Sequence, residues 1–404
     1  MPAALRCNEL AVSLAPRNAI YHYNLAATQR FLGRLEEAEE SYNRALALDP
    51  HEYEAYLMRA ELFKRTEDNN YTKEIKRRLS IGVRHWRGEV QLCFALAKEF
   101  EDLSCFDESF AYLKRGADLK RRKSDYDLGA DIATIDRIIE TYATQLFRDS
   151  GAGYDSHEAI FVLGMPRTGT TLVERILGCH SEVQSVGESN NFAIEMVKLV
   201  RQSAPNQRLM RSELIAASAN VDLSKLGQNY IESTRPKSGT YRFFVDKLPA
   251  NYLYCGLISL ALPNAKIISL VRDPMDTCYS VYKTLFKSAY PFSYDLEEMA
   301  RYFVAYQRLM AHWHQLLPGK MLDVQYEDLV ADQEGQTRRI LEHCGLSWEP
   351  NVLDFHTSTE ATTTASAVQV RQPIYASSIG KWRRFENQLR PAANILTDAG
   401  IQFS

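Results

Sequence analysis

The run Phe161-Val-Leu-Gly-Met-Pro-Arg-Thr-Gly-Thr-Thr-Leu172 constrains this chain more than any other segment: a continuous apolar strand passes through a glycine-bearing loop into a helix. Gly164 and Gly169 have the spacing of a phosphate-cradling loop, but Thr170 stands where a nucleoside-triphosphate loop carries its lysine. Backbone N–H groups at a helix N-terminus can still hold an anion, helped by the hydroxyls of Thr168, Thr170 and Thr171. Arg167 adds a fixed cationic fork. Such a loop suits a 5′-phosphate-like group carrying a transferable anion better than a metal-bound triphosphate. The bland alternative is an ordinary glycine turn.

A chain of 404 residues, 45% apolar and 25% charged, has room for two or three domains with a large core. Its net charge of -3 gives no global attraction to nucleic acid or to anionic membranes, so any anion site must be built locally. The seven cysteines are scattered, odd in number and without a CxxC pair, which argues against a disulfide framework or a zinc site and suits a reducing cytoplasm. Without an 18-residue apolar run or a secretory leader pattern, the protein is expected to stay where it is made.

The first third is helical and repetitive. From Ala19 to Pro50, residues Leu25, Ala26, Ala38, Tyr42, Ala45 and Pro50 fall on tetratricopeptide spacing, with Gly33 at the turn and His22 where the repeat usually has tryptophan. A second copy runs from Leu92 to Lys120, and the copy between them keeps Tyr56, Ala60 and Phe63 without a clear second helix. A generic helical bundle is the plainer reading. Stacked helix pairs suggest a protein partner or a homodimer. The basic run Lys120 to Tyr126 reads as a solvated helix face, and the polar joint Arg148 to Gly153 sets the expected domains at 1–150 and 151–404.

Beyond residue 158 short β-rich runs alternate with helices: Ala159 to Leu163, Tyr241 to Val245, Lys266 to Val271 and Met321 to Val324. Continuous apolar strands of this kind belong to a parallel sheet covered on both faces, an α/β doubly wound arrangement. Ligands of such sheets sit at the carboxyl ends of the strands, where Gly164 to Thr171, Lys247 and Arg272 all fall.

Gly164 to Thr171, followed by Val271-Arg-Asp-Pro274 and Ser280, resembles the two nucleotide signatures of sulfotransferases that use 3′-phosphoadenosine 5′-phosphosulfate (PAPS). The resemblance spans roughly 158 to 385 and is strongest toward bacterial tetratricopeptide-linked and tyrosylprotein sulfotransferases. It implies a P-loop-like sulfotransferase domain behind an all-α tetratricopeptide-like array. PAPS would be the donor, 3′-phosphoadenosine 5′-phosphate (PAP) the product, and no metal would be needed. Arg167, Thr168, Gly169, Thr170 and Thr171 would hold the 5′ end, and Arg272 with Ser280 the 3′-phosphate.

The same likeness makes Glu188 of Gly187-Glu188 the base that activates the acceptor hydroxyl, and Lys247 the cation at the departing bridging oxygen. A carboxylate beside a bound anion and shielded from water is expected to have a raised pKa; the plainer reading of Glu188 is a solvated loop acid. Val245-Asp-Lys-Leu-Pro249 lacks the histidine of the cytosolic small-molecule enzymes, which favours Glu188. Alignment of Ser366 to Pro373 and Ile379 to Trp382 implies a transition-state hydroxyl from Ser366 and a nucleotide contact from Lys381; Trp382 reads equally as a packing anchor. Tyr326 either touches the nucleotide or ends a strand.

The chain also departs from the tyrosylprotein enzymes. Ser189-Asn190-Asn191 stands where they read acidic peptides with an arginine, Val186 replaces a cysteine, and only Lys283 and Lys287 supply charge after Ser280. His312 and His314 lack metal-ligand spacing. The acceptor is therefore left open among peptide tyrosine, carbohydrate, lipid and small phenol. A P-loop kinase and a catalytically inert repeat scaffold are the rival readings.

Overall fold

The computed structural model describes residues 1–149, 151–204, 209–236, 241–358, 364 and 367–404. Among the described residues five strands, β1 (Ala159–Gly164), β2 (Val183–Gly187), β3 (Phe243–Lys247), β4 (Lys266–Val271) and β5 (Met321–Gln325), form one sheet in the order β2-β3-β1-β4-β5. Every pairing is parallel. Register brings Val162 opposite Lys247 and Gly164 opposite Leu270, while Val271 pairs Gln325. The carboxyl ends of the four strands β3, β1, β4 and β5 therefore finish along one edge, and the chain that leaves each end enters the same space.

Side chains alternate across the sheet as strand geometry requires. Ile160, Val162, Val245, Ile268 and Leu270 face the helices Thr170–Gly178 and Gln333–Cys344; Phe161, Leu163, Phe244 and Ile267 face the opposite core. Both faces are covered, which is why β1 is buried at all six positions. The fold class read from the sequence is the one observed. β2 had not been expected: it is an edge strand with Gln184 and Ser185 half-buried, so it lacks the continuous apolar run of its neighbours.

The first third folds as paired helices. Ala19–Leu32 and Leu35–Leu48 meet through Ala26 and Ala38, both wholly buried, around the left-handed turn residue Gly33. Trp86–Asp102 and Phe106–Arg122 form the later pair, joined by a hydrogen bond from Ser109 Oγ to the Ala97 carbonyl at 2.7 Å. The middle copy does have a second helix, Thr72–Ser80, after Tyr53–Ala60. Its signal was masked because an irregular connection is held by charge: Arg65, 1% exposed, bonds Glu39 at 2.7 Å and approaches Glu99 at 3.8 Å.

The array is packed on the sheet's own helices. Phe110 stacks on Tyr282 at 6.1 Å, Tyr142 meets Trp313 edge-on at 6.0 Å, and Arg121 pairs with Glu298 at 2.6 Å. One apolar cluster runs from Ala26 and Tyr42 through Phe110 to Phe161 and Trp313. Among the described residues no helix is long and apolar enough to cross a membrane.

Candidate active site

Where the strands end, a cleft of about 950 Å³ opens between the sheet edge and the helical array. Its first wall is the loop after β1. Gly164 (φ 140°) and Gly169 (φ 104°) have backbone angles that disfavour any side chain. A Cβ on Gly164 would lie 2.5 Å from the Leu270 carbonyl oxygen, and one on Gly169 2.8 Å from the Tyr326 ring. The sequence thus permits a loop that hugs β4 on one side and Tyr326 on the other.

Gly169 caps the helix Thr170–Gly178 without any side-chain hydrogen bond, so the helix presents its opening N–H groups and positive dipole end to the cleft. Thr170 and Thr171 line the opening. Thr168 lies behind it, with its hydroxyl donating to the Met165 carbonyl at 2.7 Å.

Two arginines converge on this loop. Arg167, itself in the left-handed region at φ 68°, donates to Gln369 Oε1 at 2.7 Å. Arg272, at the end of β4, donates to the carbonyl oxygens of Arg167 at 3.0 Å and Ser378 at 2.7 Å, with its guanidinium over the Tyr326 ring at 4.8 Å. Burial lowers the pKa of Arg167, and the neighbouring Arg272 cation lowers it further. Backbone carbonyls and an aromatic face hold Arg272, and the buried Asp276 carboxylate lies 3.9 Å from its guanidinium, at the long end of an ion pair. The Arg272 Nε is buried with no hydrogen-bond partner among the described residues. An orphaned guanidinium donor beside an open helix N-terminus fits a phosphorylated ligand.

Asp276 also explains Lys381. Its carboxylate accepts from Gly380 N at 2.6 Å and Trp382 N at 3.3 Å, fastening that segment so that Lys381 and Ser280 border the same end of the cleft. Trp382 is a packing residue, edge-on to Phe403 at 5.7 Å. Tyr326 follows β5 as the first residue of the helix Tyr326–Ala331 and lines the cleft, its hydroxyl sharing a hydrogen bond with Ser378 Oγ at 2.8 Å. The array contributes here too: Glu101 binds Lys283 Nζ through both oxygens at 2.8 Å.

On the opposite flank β3 delivers Lys247, 1% exposed, with Nζ 2.5 Å from Glu188 Oε1 and 3.6 Å from Glu174 Oε2. Glu188 follows β2 and lines the cleft with its side chain 47% exposed, an ion-paired rim carboxylate and not the shielded one expected from the sequence. Glu174 is the buried carboxyl of the trio: burial raises its pKa despite the pull of Lys247, and Ser185 Oγ donates to it at 2.6 Å. Beside Lys247, buried Asp246 is pushed up to about 7 by burial, although Tyr230 donates to it at 2.8 Å. Neither acid was singled out from the sequence. Glu174 lies one helical turn past Thr170 and reads there as a routine polar position.

Arg167, Gly169, Thr170, Thr171, Glu188, Arg272, Ser280, Tyr326 and Lys381 therefore border one cleft, with Thr168 and Lys247 directly behind it. Ser366 lies outside the described residues.

Residues 159–350 match the family model described as sulfotransferase family, and residues 19–52 match the tetratricopeptide repeat. The α/β half of the chain is thus similar to the sulfotransferase family, and a segment similar to a tetratricopeptide repeat precedes it. An uncharacterized protein of Aquifex aeolicus is 33% identical over 91% of this chain and 49% of its own length. Protein-tyrosine sulfotransferase 2 of Gallus gallus is 25% identical over 55% of this chain and 62% of its own. The sulfotransferase domain of the Synechococcus PCC 7002 olefin synthase aligns at 18% identity with a TM-score of 0.45, covering 63% of this chain and 99% of that domain. The chain thus spans about half the length of the first relative and under two thirds of the second.

Proposed function

We propose that this chain moves a sulfuryl group from PAPS to a hydroxyl acceptor, with residues 151–404 as catalytic domain and 1–150 as repeat domain, in a reducing cytoplasm. The observation that carries the reading is a single cleft with Arg272, its Nε buried and without a hydrogen-bond partner among the described residues, beside an open helix N-terminus at one end and a Lys247–Glu188 pair at the other. Bound PAPS supplies the sulfuryl group. Arg272, Ser280 and Lys381 hold the ribose 3′-phosphate, while the loop amides, Arg167, Thr170 and Thr171 hold the 5′ end. Glu188 takes the proton from the acceptor hydroxyl as its oxygen bonds to sulfur, and Lys247 faces the bridging oxygen from which sulfur departs. Glu174 keeps the ammonium in place when Glu188 turns to the acceptor.

Titration calorimetry with PAP tests the donor site. Arg272→Ala should weaken binding about 10- to 100-fold, the range of a charge-assisted contact worth about 1.5–3 kcal/mol; unchanged affinity removes Arg272 from the site. Glu188→Gln should bind PAP normally yet lose transfer of sulfur-35 from PAPS to cell-extract acceptors by about 10²- to 10⁴-fold. Full activity in that variant would put the base elsewhere.

A further inference from the structure

We infer that the acceptor is an uncharged phenol or alcohol with an elongated apolar body, which runs from Glu188 along an aromatic corridor into a side cavity between the array and the α/β half. This rests on the sulfuryl-transfer reading above and extends it to the acceptor. The cavity, about 310 Å³, is walled by Ile135 and Ile138 of the helix Leu128–Thr141, by Met196, and by Leu214 and Ile215 of the helix Arg211–Ser218. It shares Asp131, Leu253 and Tyr302 with the main cleft. Protein interiors are close-packed, and about ten waters would be needed to fill this volume at liquid density. A cavity of that size, with a largely aliphatic and aromatic wall beside the paired Asp131 and Arg211 and with walls in common with the reaction cleft, is a binding feature.

The corridor is equally specific. Tyr290 lines the same cleft as Glu188 and Tyr302. Its backbone is held at φ 54°, a costly region for a residue with a side chain. From there the rings continue without a break: Tyr290 and Phe292 are 6.0 Å apart, and Phe292 stacks on Tyr302 at 3.8 Å. Polar groups along the way are paired with one another, Tyr252 with Tyr302 at 2.6 Å, Tyr142 with Ser218 at 2.7 Å and Arg211 with Asp131 at 2.6 Å, and the rest of the path offers rings and aliphatic groups.

Charge argues in the same direction. On this side of the cleft Arg30 pairs with Glu61 at 2.9 Å, Lys287 with Glu54 at 3.2 Å, and Arg211 with Asp131 at 2.6 Å. A peptide tyrosine flanked by acids would meet Glu54, Glu61, Asp131 and Glu188, with each nearby cation already matched. An apolar hydroxyl compound meets no such opposition.

The test uses the full chain and para-alkylphenols from phenol to nonylphenol. Binding to the PAP-loaded protein is followed by calorimetry, and transfer of sulfur-35 from PAPS is measured in parallel. Affinity and kcat/KM should rise about fourfold per methylene, the factor given by ~0.8 kcal/mol per buried CH₂, and then level off. Ile138→Trp, which fills the cavity, and Leu214→Trp, at its rim, should each make the gain level off at a shorter chain while leaving phenol and PAP binding unchanged. Two variants guard against one failing to fold. A flat response to chain length, profiles unaltered in a folded variant, no transfer to any member despite bound PAP, or preference for an acid-flanked tyrosine peptide would each overturn the inference. Failure of the wild type to bind PAP would overturn the sulfotransferase reading beneath it as well.

Discussion

Lys247 is buried to 1% exposure, a position an ammonium tolerates only with counter-charge, and the chain supplies Glu174 from below and Glu188 from the cleft rim. Its neighbour on β3, Asp246, faces the other core and has burial working against its charged form. The folded-state pKa of Asp246, about 7, lies above its ordinary 3.8. The folded protein therefore holds that proton more tightly than the unfolded chain, so the stabilising contribution is complete below about pH 4 and is lost as pH rises through 7. Asp246→Asn keeps the shape and an acceptor for Tyr230 while removing the titration. Urea unfolding from pH 4.5 to 8 should show the wild type losing stability relative to Asp246→Asn across that window; parallel curves would place the titration elsewhere. Lys247 and Glu188 were legible because each sits in a short motif at a strand end. Glu174 and Asp246 were not, because their importance arises from a burial that no local pattern announces.

At the scale of elements, β1, β3, β4 and β5 are readable as short, mostly apolar runs between helices, and their carboxyl ends are where the cleft opens. The helices Asn191–Ser203, Arg211–Ser218 and Leu223–Thr234 were not singled out, because their places are set by contacts distant in the chain: Phe192 of the first and Tyr230 of the third pack on Phe161 of β1. Least legible was the reach of the helix Trp86–Asp102 into the donor end, a contact between Glu101 and Lys283 that joins distant parts of the chain. Burial alone would raise the pKa of Glu101, but the charge and hydrogen bond of Lys283, with Lys381 and Tyr279, bring it below its ordinary value. Burial and then Lys283 lower the pKa of Lys381. Glu101→Gln leaves both ammoniums short of counter-charge. It should cost about 2–3 kcal/mol of stability, below the ~3–5 of a wholly buried pair because Lys283 is 26% exposed. PAP should then bind more tightly than to the wild type, since its ribose phosphate supplies the missing charge, whereas adenosine 5′-phosphate should gain little. Calorimetry with both nucleotides decides: equal shifts would place Glu101 outside the phosphate's field.

For the whole molecule, the polar joint near residue 150 set the expected boundary between repeat and catalytic domains, and the apolar cluster that begins at Ala26 continues across it to Trp313 and Leu396. The cause is a row of aromatic contacts that sequence periodicity cannot pair in advance: Phe94 with Tyr294, Phe106 and Phe110 with Phe385, and Tyr142 with Trp313. Cooperativity follows the core and not the chain order, so the array and the sheet should melt as one unit, with calorimetric and van't Hoff enthalpies in agreement. Phe110→Ala provides the sharper version of the test. Its ring lies between Tyr282, at the end of the helix that carries Ser280, and Phe385, just beyond Lys381. Removing it should cost about 3–5 kcal/mol, lower the single transition as a whole, and weaken PAP binding although the mutated residue belongs to the array. Two resolved transitions, with only the first displaced and PAP affinity intact, would show instead that the repeats are a detachable accessory to the sheet.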